Sequence, residues 1–141
     1  MRKIKFRVWD KKYLKWFNPE EDSCDGAGLT LGGEIAFAGQ SQFGQINPKD
    51  ENRFVIQQFT GLLDKNGVEI YEGDILKVKS YDDWFDEKGF YYNSTVFYDP
   101  SQAKFVHAAK PEYKRGKDFS IRTDKLDVEV VGNIYETPNL K

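Results

Sequence analysis

The amino-acid sequence predicts a mainly β fold, a small barrel or sandwich with little helix. Hydrophobic and polar residues alternate with a period of two along most segments, as they do on half-buried strands. Compact turns rich in glycine, asparagine and aspartate separate these segments. No segment has the apolar spacing of a convincing amphipathic helix. Short strands joined by tight turns are typical of barrels and sandwiches.

The first predicted element is a β-hairpin at the N-terminus. In IKFRVW, one side of the extended chain carries Ile4, Phe6 and Val8. The other side, which we expect to face outward, carries basic residues and a tryptophan: Lys3, Lys5, Arg7 and Trp9. A turn at residues 10–12 leads into YLKWF, where the alternation resumes. This pattern predicts two antiparallel strands.

The following segment, residues 18–52, is rich in turn-forming residues, with six of the twelve glycines and two of the five prolines. Its apolar runs LTL and EIAFA predict one or two short strands, because glycine weakens a longer element. A chain of 141 residues is long enough for one ordinary domain. We assign residues 1–52 to an N-terminal hairpin and glycine-rich excursion, part of one compact chain, and residues 53–141 to a second lobe.

The second lobe is predicted to be a series of strands. Their segments are RFVIQQFT, EIY, ILKVKSY, FYYNSTVFY, KFVHAA and VEVVGNIYE. The first three are joined through two glycine turns within TGLLDKNGVEIYEGDILKV. Glycine and asparagine tolerate positive φ, and aspartate can bind nearby amides. We therefore assign structural roles in these corners to five residues: Gly61, Asn66, Gly67, Gly73 and Asp74.

The composition excludes several classes of protein. A single cysteine, Cys24, excludes an internal disulfide and multi-cysteine zinc sites. Charges interrupt the apolar residues of MRKIKFRVWDKK, so we expect neither a signal peptide nor a membrane span, and a cytoplasmic location. The net charge of −2 argues against strong nucleic-acid binding, although the first fifteen residues hold seven basic side chains and one acidic side chain.

No catalytic, metal or cofactor site is predicted, and we expect a non-enzymatic protein. Cys24 and His107 are unique in the chain, but nothing in their spacing supplies a third group to orient a nucleophile and base. Two acidic clusters, at residues 20–25 and 82–87, do not follow the calcium-loop template and are interpreted as solvated loops. GAGLTLGG lacks the Lys-Ser/Thr ending of a phosphate-binding loop.

Three blocks of sequence carry a resemblance to a known family. IKFRVWDKK, QFTGLLDKNGVEIYEGDILKV and EVVGNIYETPNL, in this order, resemble the YopX-like family of small proteins from bacteriophages and prophages of Gram-positive bacteria. The resemblance implies a mostly β protein, encoded by a phage, whose C-terminal part is an SH3-like small β-barrel. It implies no established activity and supplies no catalytic residues. The glycine-rich excursion and the segment DDWFDEKGFYY depart from the family pattern.

Single-stranded nucleic acid is one candidate ligand, because cations surround an aromatic residue on the N-terminal hairpin. The candidate contacts are Lys3, Lys5, Arg7, Trp9, Lys11, Lys12 and Lys15. A second basic patch is predicted in KPEYKRGK, from Lys110, Tyr113, Lys114, Arg115 and Lys117. The alternative is that these lysines keep the hairpin edge soluble and discourage the addition of further strands.

A protein partner is the favoured candidate, because aromatic residues crowd one predicted loop and the strand after it. These residues are Tyr81, Trp84, Phe85, Phe90, Tyr91 and Tyr92. Tyrosine and tryptophan are enriched at protein interfaces, although core packing is the alternative explanation. Together with the resemblance, which implies a phage protein, this favours an accessory or regulatory protein that binds a host or phage protein, or a second copy of itself.

Overall fold

The computed structural model describes residues 3–17, 26–29, 35–38, 52–80, 90–109 and 127–140, and these residues are mainly β. The chain divides into two compact units, one of residues 6–57 and the other of residues 1–5 together with 58–141. The described part contains ten strands and one 3₁₀ helix, Pro138–Leu140. The prediction of a mainly β fold with little helix is confirmed.

The unit of residues 6–57 begins with the predicted hairpin. Strand β1 (Phe6–Asp10) pairs antiparallel with β2 (Lys15–Trp16), and Trp9 lies opposite Trp16. Strands β3 (Gly26–Leu29) and β4 (Ile35–Ala38) form a two-stranded antiparallel ribbon. Strand β5 (Phe54–Leu63) contributes residues to both units, and β1 lies between β2 and β5.

The other unit is built around a four-stranded antiparallel sheet. Its strands are β7 (Asp74–Ser80), β8 (Phe90–Asp99), β9 (Lys104–Ala108) and β10 (Val128–Asn133), in the order β10-β7-β8-β9. Strand β6 (Glu69–Tyr71) pairs with the second half of β5, with Tyr71 opposite Phe59. These elements form the small barrel-like lobe that follows the hairpin.

The core of this lobe lies on one face of the four-stranded sheet. Five buried side chains form it: Ile70, Leu76, Val78, Val96 and Val128. Leu62, Tyr92 and Val130 pack against them. The strand register places Tyr92 and Val128 on either side of Val78, so alternate residues of three strands meet in this core. Each fully buried aliphatic side chain stabilises the fold by roughly 1.5–3 kcal/mol.

Turns with positive φ join β5, β6 and β7. Gly67, with a φ of 83°, lies between β5 and β6, and Gly73, with a φ of 79°, lies between β6 and β7. Gly61, which the sequence also predicted at a corner, has a φ of 88° but lies within β5, where the pairing with β6 shifts register. At Gly73 the turn is fixed on both sides, because its N–H donates to Val96 O at 2.8 Å and its carbonyl accepts from Ile134 N at 2.9 Å. Asp74 accepts bonds from Tyr71 N at 2.8 Å and from Asn133 Nδ2 at 3.1 Å.

A buried aspartate that the sequence pattern did not single out, Asp64, organises the turn around Gly67. Its Oδ1 accepts hydrogen bonds from Asn66 N and Val68 N, both at 2.8 Å. Its Oδ2 accepts from Val130 N at 3.1 Å. The side chain therefore forms the turn locally and also ties it to β10. Asx turns of this kind are a known use of aspartate.

The prediction that the side of β1 carrying Trp9 faces outward is wrong. Trp9, predicted on the solvent side with the lysines, is only 4% exposed, whereas Ile4 and Phe6 are 68% and 44% exposed. The alternation itself is present, but burial favours the larger aromatic surface of Trp9, which packs edge-to-face on Trp16 with ring centroids 4.9 Å apart. Arg7 on the same side is half-buried, and its guanidinium carbon lies 4.2 Å from the centroid of the Trp16 ring.

Candidate functional site

The most exposed part of the hairpin is its turn. We call residues 11–14, which join β1 to β2, the hairpin tip; all four are exposed. Two of them are large and apolar, with Tyr13 60% and Leu14 71% exposed. Leu14 also has a φ of 53°, in the left-handed region that side chains other than glycine, asparagine and aspartate rarely occupy.

A buried ion pair holds the hairpin tip in place. Asp10 Oδ1 accepts hydrogen bonds from Lys12 N at 2.9 Å and from Tyr13 N at 3.3 Å. The guanidinium of Arg53 donates two hydrogen bonds to the same carboxylate, from Nε to Oδ1 at 2.9 Å and from Nη2 to Oδ2 at 2.6 Å. A backbone hydrogen bond connects the same two segments, because Lys11 N donates to Arg53 O at 2.9 Å. The tip is thereby fixed to the start of β5.

The electrostatics of Asp10 follow from these partners. Burial opposes ionisation of its carboxyl group, but the Arg53 hydrogen bonds and the amides of Lys12 and Tyr13 outweigh it, so the pKa of Asp10 lies below its ordinary value. Asp10 is therefore ionised at neutral pH, and its charge is matched by Arg53. The lysines of the tip are not needed to balance it.

Cations surround the exposed tyrosine of the tip. The guanidinium carbon of Arg53 lies 4.9 Å from the centroid of the Tyr13 ring, and Lys12 Nζ lies 5.5 Å from it. Arg53 also lies 4.6 Å from the Phe54 ring. These cation–π contacts preorganise Tyr13. The exposed apolar side chains of the hairpin tip therefore have positive charges beside them, and the buried ion pair of Asp10 and Arg53 holds the tip rigid. Such a surface suits contact with another protein.

The residues predicted to contact nucleic acid are not arranged as a stacking platform around Trp9. The indole of Trp9 is covered, as described above. Lys5 forms an ion pair with Glu69, which raises the pKa of Lys5. The guanidinium of Arg7 lies 4.2 Å from the Trp16 ring, and its Nε donates to Gln57. The remaining predicted cations are exposed: Lys3, Lys11, Lys12 and Lys15. The second basic patch, residues 110–117, lies outside the described residues.

The aromatic residues predicted to form a protein interface have different positions. Tyr81, Trp84 and Phe85 lie outside the described residues, as does the side chain of Phe90. Tyr92 is half-buried against the core. Tyr91 is 56% exposed on the opposite face of the sheet, where the Nζ atoms of Lys77 and Lys79 lie 4.8 Å and 5.9 Å from its ring centroid.

Among the described residues, the groups considered for catalysis are buried, and those considered for metal binding do not lie together. His107 Nδ1 lies 2.7 Å from Ser94 Oγ, but both side chains are buried within the four-stranded sheet. Cys24 lies outside the described residues. Within the described ranges, no three acidic, histidine or cysteine side chains group as a metal site would require. No helix in these same ranges is long and apolar enough to span a bilayer.

Sequence reasoning missed the residues that build the hairpin tip. The pattern does not mark Tyr13 and Leu14 as site residues, because DKKYL has no glycine to identify its turn type. One local signal was available, since an aspartate at the start of a turn commonly bonds amides two and three residues later. The pairing of Asp10 with Arg53 has no such signal, because 43 positions separate them.

Comparisons with known proteins add the following. The family model described as YopX protein matches residues 5–140. The chain is similar to protein EF1440 from Enterococcus faecalis, with 25% sequence identity, a TM-score of 0.57 and 99% of each chain covered. It is also similar in fold to protein YopX from Bacillus subtilis, with 16% identity, a TM-score of 0.50, and 100% of this chain and 99% of that chain covered. A search of curated proteins finds no significant match.

Proposed function

The chain belongs to the YopX protein family, and we propose that it is a non-enzymatic binding module whose hairpin tip contacts a protein partner. In this proposal it is an accessory protein of a phage or prophage, and it works in the cytoplasm of the host bacterium. Its partner is a host or phage protein. The burial of Ser94 and His107 inside the sheet supports a role without a reaction.

The observation that carries the proposal is the conformation and exposure of Leu14. A leucine with φ of 53° costs about 1–2 kcal/mol relative to the right-handed conformation. Its side chain is 71% exposed, so burial within the fold offsets little of that cost. Strained residues of this kind cluster at ligand clamps and other functional sites, where they serve a purpose other than stability. A partner that covers Leu14 and Tyr13 would supply the missing burial.

The chemistry of the tip favours protein over nucleic acid at this position. Arg53 and Lys12 already lie against the Tyr13 ring, which leaves it poorly suited to stack on a base. The side chain of Leu14 has no positive charge and no hydrogen-bond donor with which to bind a phosphate. Exposed apolar side chains with cations beside them are instead complementary to a protein surface that has an apolar depression bordered by acidic residues. The opposite charges would speed association, and burial of the apolar side chains would stabilise the complex.

Affinity capture with matched variants tests the proposal. Tagged wild-type protein, the double variant Tyr13→Ser/Leu14→Asn and the control Val68→Asn would be incubated with nuclease-treated lysates of Enterococcus faecalis and Bacillus subtilis, the sources of the two similar structures. Val68 is also an exposed apolar turn residue, 47% exposed, but lies in the other unit. We expect wild type and control to retain the same discrete protein, and the tip variant to retain at least about tenfold less.

A companion measurement separates loss of binding from loss of folding. Asparagine tolerates left-handed φ, so Leu14→Asn alone should unfold at the same temperature as wild type or slightly higher. Sedimentation velocity shows whether the partner is a second copy: a dimer of the wild type that the tip variant cannot form would identify it. Equal capture by all three proteins, or capture from a parallel lysate without nuclease but not from the nuclease-treated one, would contradict the proposal.

A further inference from the structure

The turn between β5 and β6 carries a chemically reactive pair of residues. We call residues 64–68 the Asp64 turn, and the four residues that follow Asp64 in it are all exposed. Asn66 is the one asparagine of the chain that is followed by glycine. The backbone nitrogen after an asparagine can attack its side-chain carbonyl carbon, and glycine hinders that nitrogen least because it has no Cβ. Even a Cβ added to Gly67 would meet no described atom within 4 Å, so there is room for a ring to form.

Hydrogen bonds of the closed turn oppose this attack. The attacking nitrogen is engaged, because Gly67 N donates to Asp64 O at 3.0 Å. The N–H groups of Asn66 and Val68, on either side of it, both donate to Asp64 Oδ1 at 2.8 Å. Together these bonds fix the backbone angles through which the nitrogen must approach the Asn66 side chain. The attack therefore requires the turn to open, as exposed segments do without global unfolding.

We propose that Asn66 is a site of spontaneous deamidation whose rate is set by opening of the Asp64 turn. Gly67 N forms a bond to Asn66 Cγ, the bond from Cγ to Nδ2 breaks, and ammonia leaves with the proton that Gly67 N gives up. Water then opens the cyclic imide at either carbonyl carbon, which yields aspartate or isoaspartate. The inference concerns the unit that does not contain the hairpin tip, and it does not depend on the binding role of the tip.

The isoaspartate product cannot re-form the same turn. It adds a methylene group to the main chain between the N–H groups of residues 66 and 68, which Asp64 Oδ1 accepts together. Its free carboxylate also repels the nearby carboxylate of Asp64. Because Asp64 Oδ2 accepts from Val130 N at 3.1 Å, the modification also loosens the attachment of the turn to β10.

Incubation of the folded protein at mildly alkaline pH tests the inference, with peptide mapping by mass spectrometry and labelling by an isoaspartyl methyltransferase. We expect isoaspartate at residue 66 before any other asparagine, including Asn93, which is also exposed but is followed by serine. Each bond to Asp64 Oδ1 should stabilise the closed turn by a factor of about 5, so the folded protein should convert at least about 25-fold more slowly than the same protein in urea.

Two substitutions of Asp64 provide a matched pair. Asp64→Ala removes the acceptor and should convert about 25-fold faster than wild type. Asp64→Asn keeps a carbonyl oxygen for both N–H groups, so it should stay within about 5-fold of wild type, the effect of the one lost bond to Val130. Circular dichroism shows whether each variant is folded, and if Asp64→Ala is not, the comparison of wild type with and without urea decides.

Three results would overturn the inference. The first is a folded protein in which residue 66 stays unmodified while the protein in urea converts. The second is conversion of wild type at the same rate with and without urea, since the turn would then give no protection. The third is a folded Asp64→Ala variant that converts no faster than Asp64→Asn.

Discussion

Replacing Arg53 with methionine would test how the hairpin tip is held. Arg53 donates two charge-assisted hydrogen bonds to Asp10, and each such bond contributes about 1.5–3 kcal/mol. The side chain of Asp10 is 4% exposed and that of Arg53 is 23% exposed, so solvent screens only part of the interaction. Methionine fills most of the volume but leaves the carboxylate buried with two amide partners. We expect Arg53→Met to lower the free energy of unfolding by about 2–4 kcal/mol near neutral pH.

The pH dependence of this loss has a definite sign. In wild type the pKa of folded Asp10 is depressed, so its stabilising contribution is fully present above the unfolded pKa of about 3.9 and is lost as pH falls through the folded pKa. In the variant, burial remains and the Arg53 bonds are gone, so the pKa of Asp10 rises. Protonation then relieves the buried charge, and the difference between the two proteins should narrow as pH falls from about 7 to about 3.

Urea unfolding followed by circular dichroism at several pH values measures both quantities. Arg53→Lys provides the control, because it keeps the charge but cannot donate two parallel bonds, and we expect an intermediate loss. A free-energy difference between wild type and Arg53→Met that stays constant between about pH 7 and pH 3, or that is below about 1 kcal/mol at neutral pH, would refute the assignment of Arg53 as the partner of a buried, ionised Asp10.

Two further substitutions test the corners of the barrel-like lobe. Gly67→Ala should cost about 1 kcal/mol in the free energy of unfolding, because φ is 83° and no described atom lies within 4 Å of the added Cβ, so only backbone strain is changed; an unaltered urea midpoint would contradict this. Asp64→Ala should cost about 3 kcal/mol, because three backbone N–H groups lose their acceptor; hydrogen exchange should also speed up at Val130, and protection there equal to wild type would count against the tie to β10.

The sequence predicted those features that depend on local chemistry. Alternation of apolar and polar residues is enough to identify strands, and the glycines of DKNG and EGD mark turns because few other residues adopt positive φ. The hairpin and the mainly β fold follow from such patterns. Asp64 could have been noticed as an Asx turn, but its bond to Val130 could not, since 66 positions separate the two residues.

The alternation of apolar and polar residues does not predict features that depend on contacts between residues far apart in the sequence. Alternation divides β1 into two faces but does not say which is buried; that choice rests on Trp9 packing against Trp16, and on Gln57 as the acceptor for Arg7 on the same face. The tip depends on Arg53 in the same way. Leu14 adds a separate difficulty, because residue preferences predict a right-handed conformation for leucine, and only the surrounding structure imposes the other.

The edge-to-face packing of Trp9 on Trp16 gives the hairpin an optical signal of its own. The two indoles lie at 70° to each other with centroids 4.9 Å apart, and they are two of the three tryptophans in the chain. Their electronic transitions should couple at this separation and produce near-ultraviolet dichroism that vanishes when β1 and β2 part. With Trp84 replaced by phenylalanine, both remaining tryptophans lie in the hairpin, so its opening could be followed through the tryptophan signal alone.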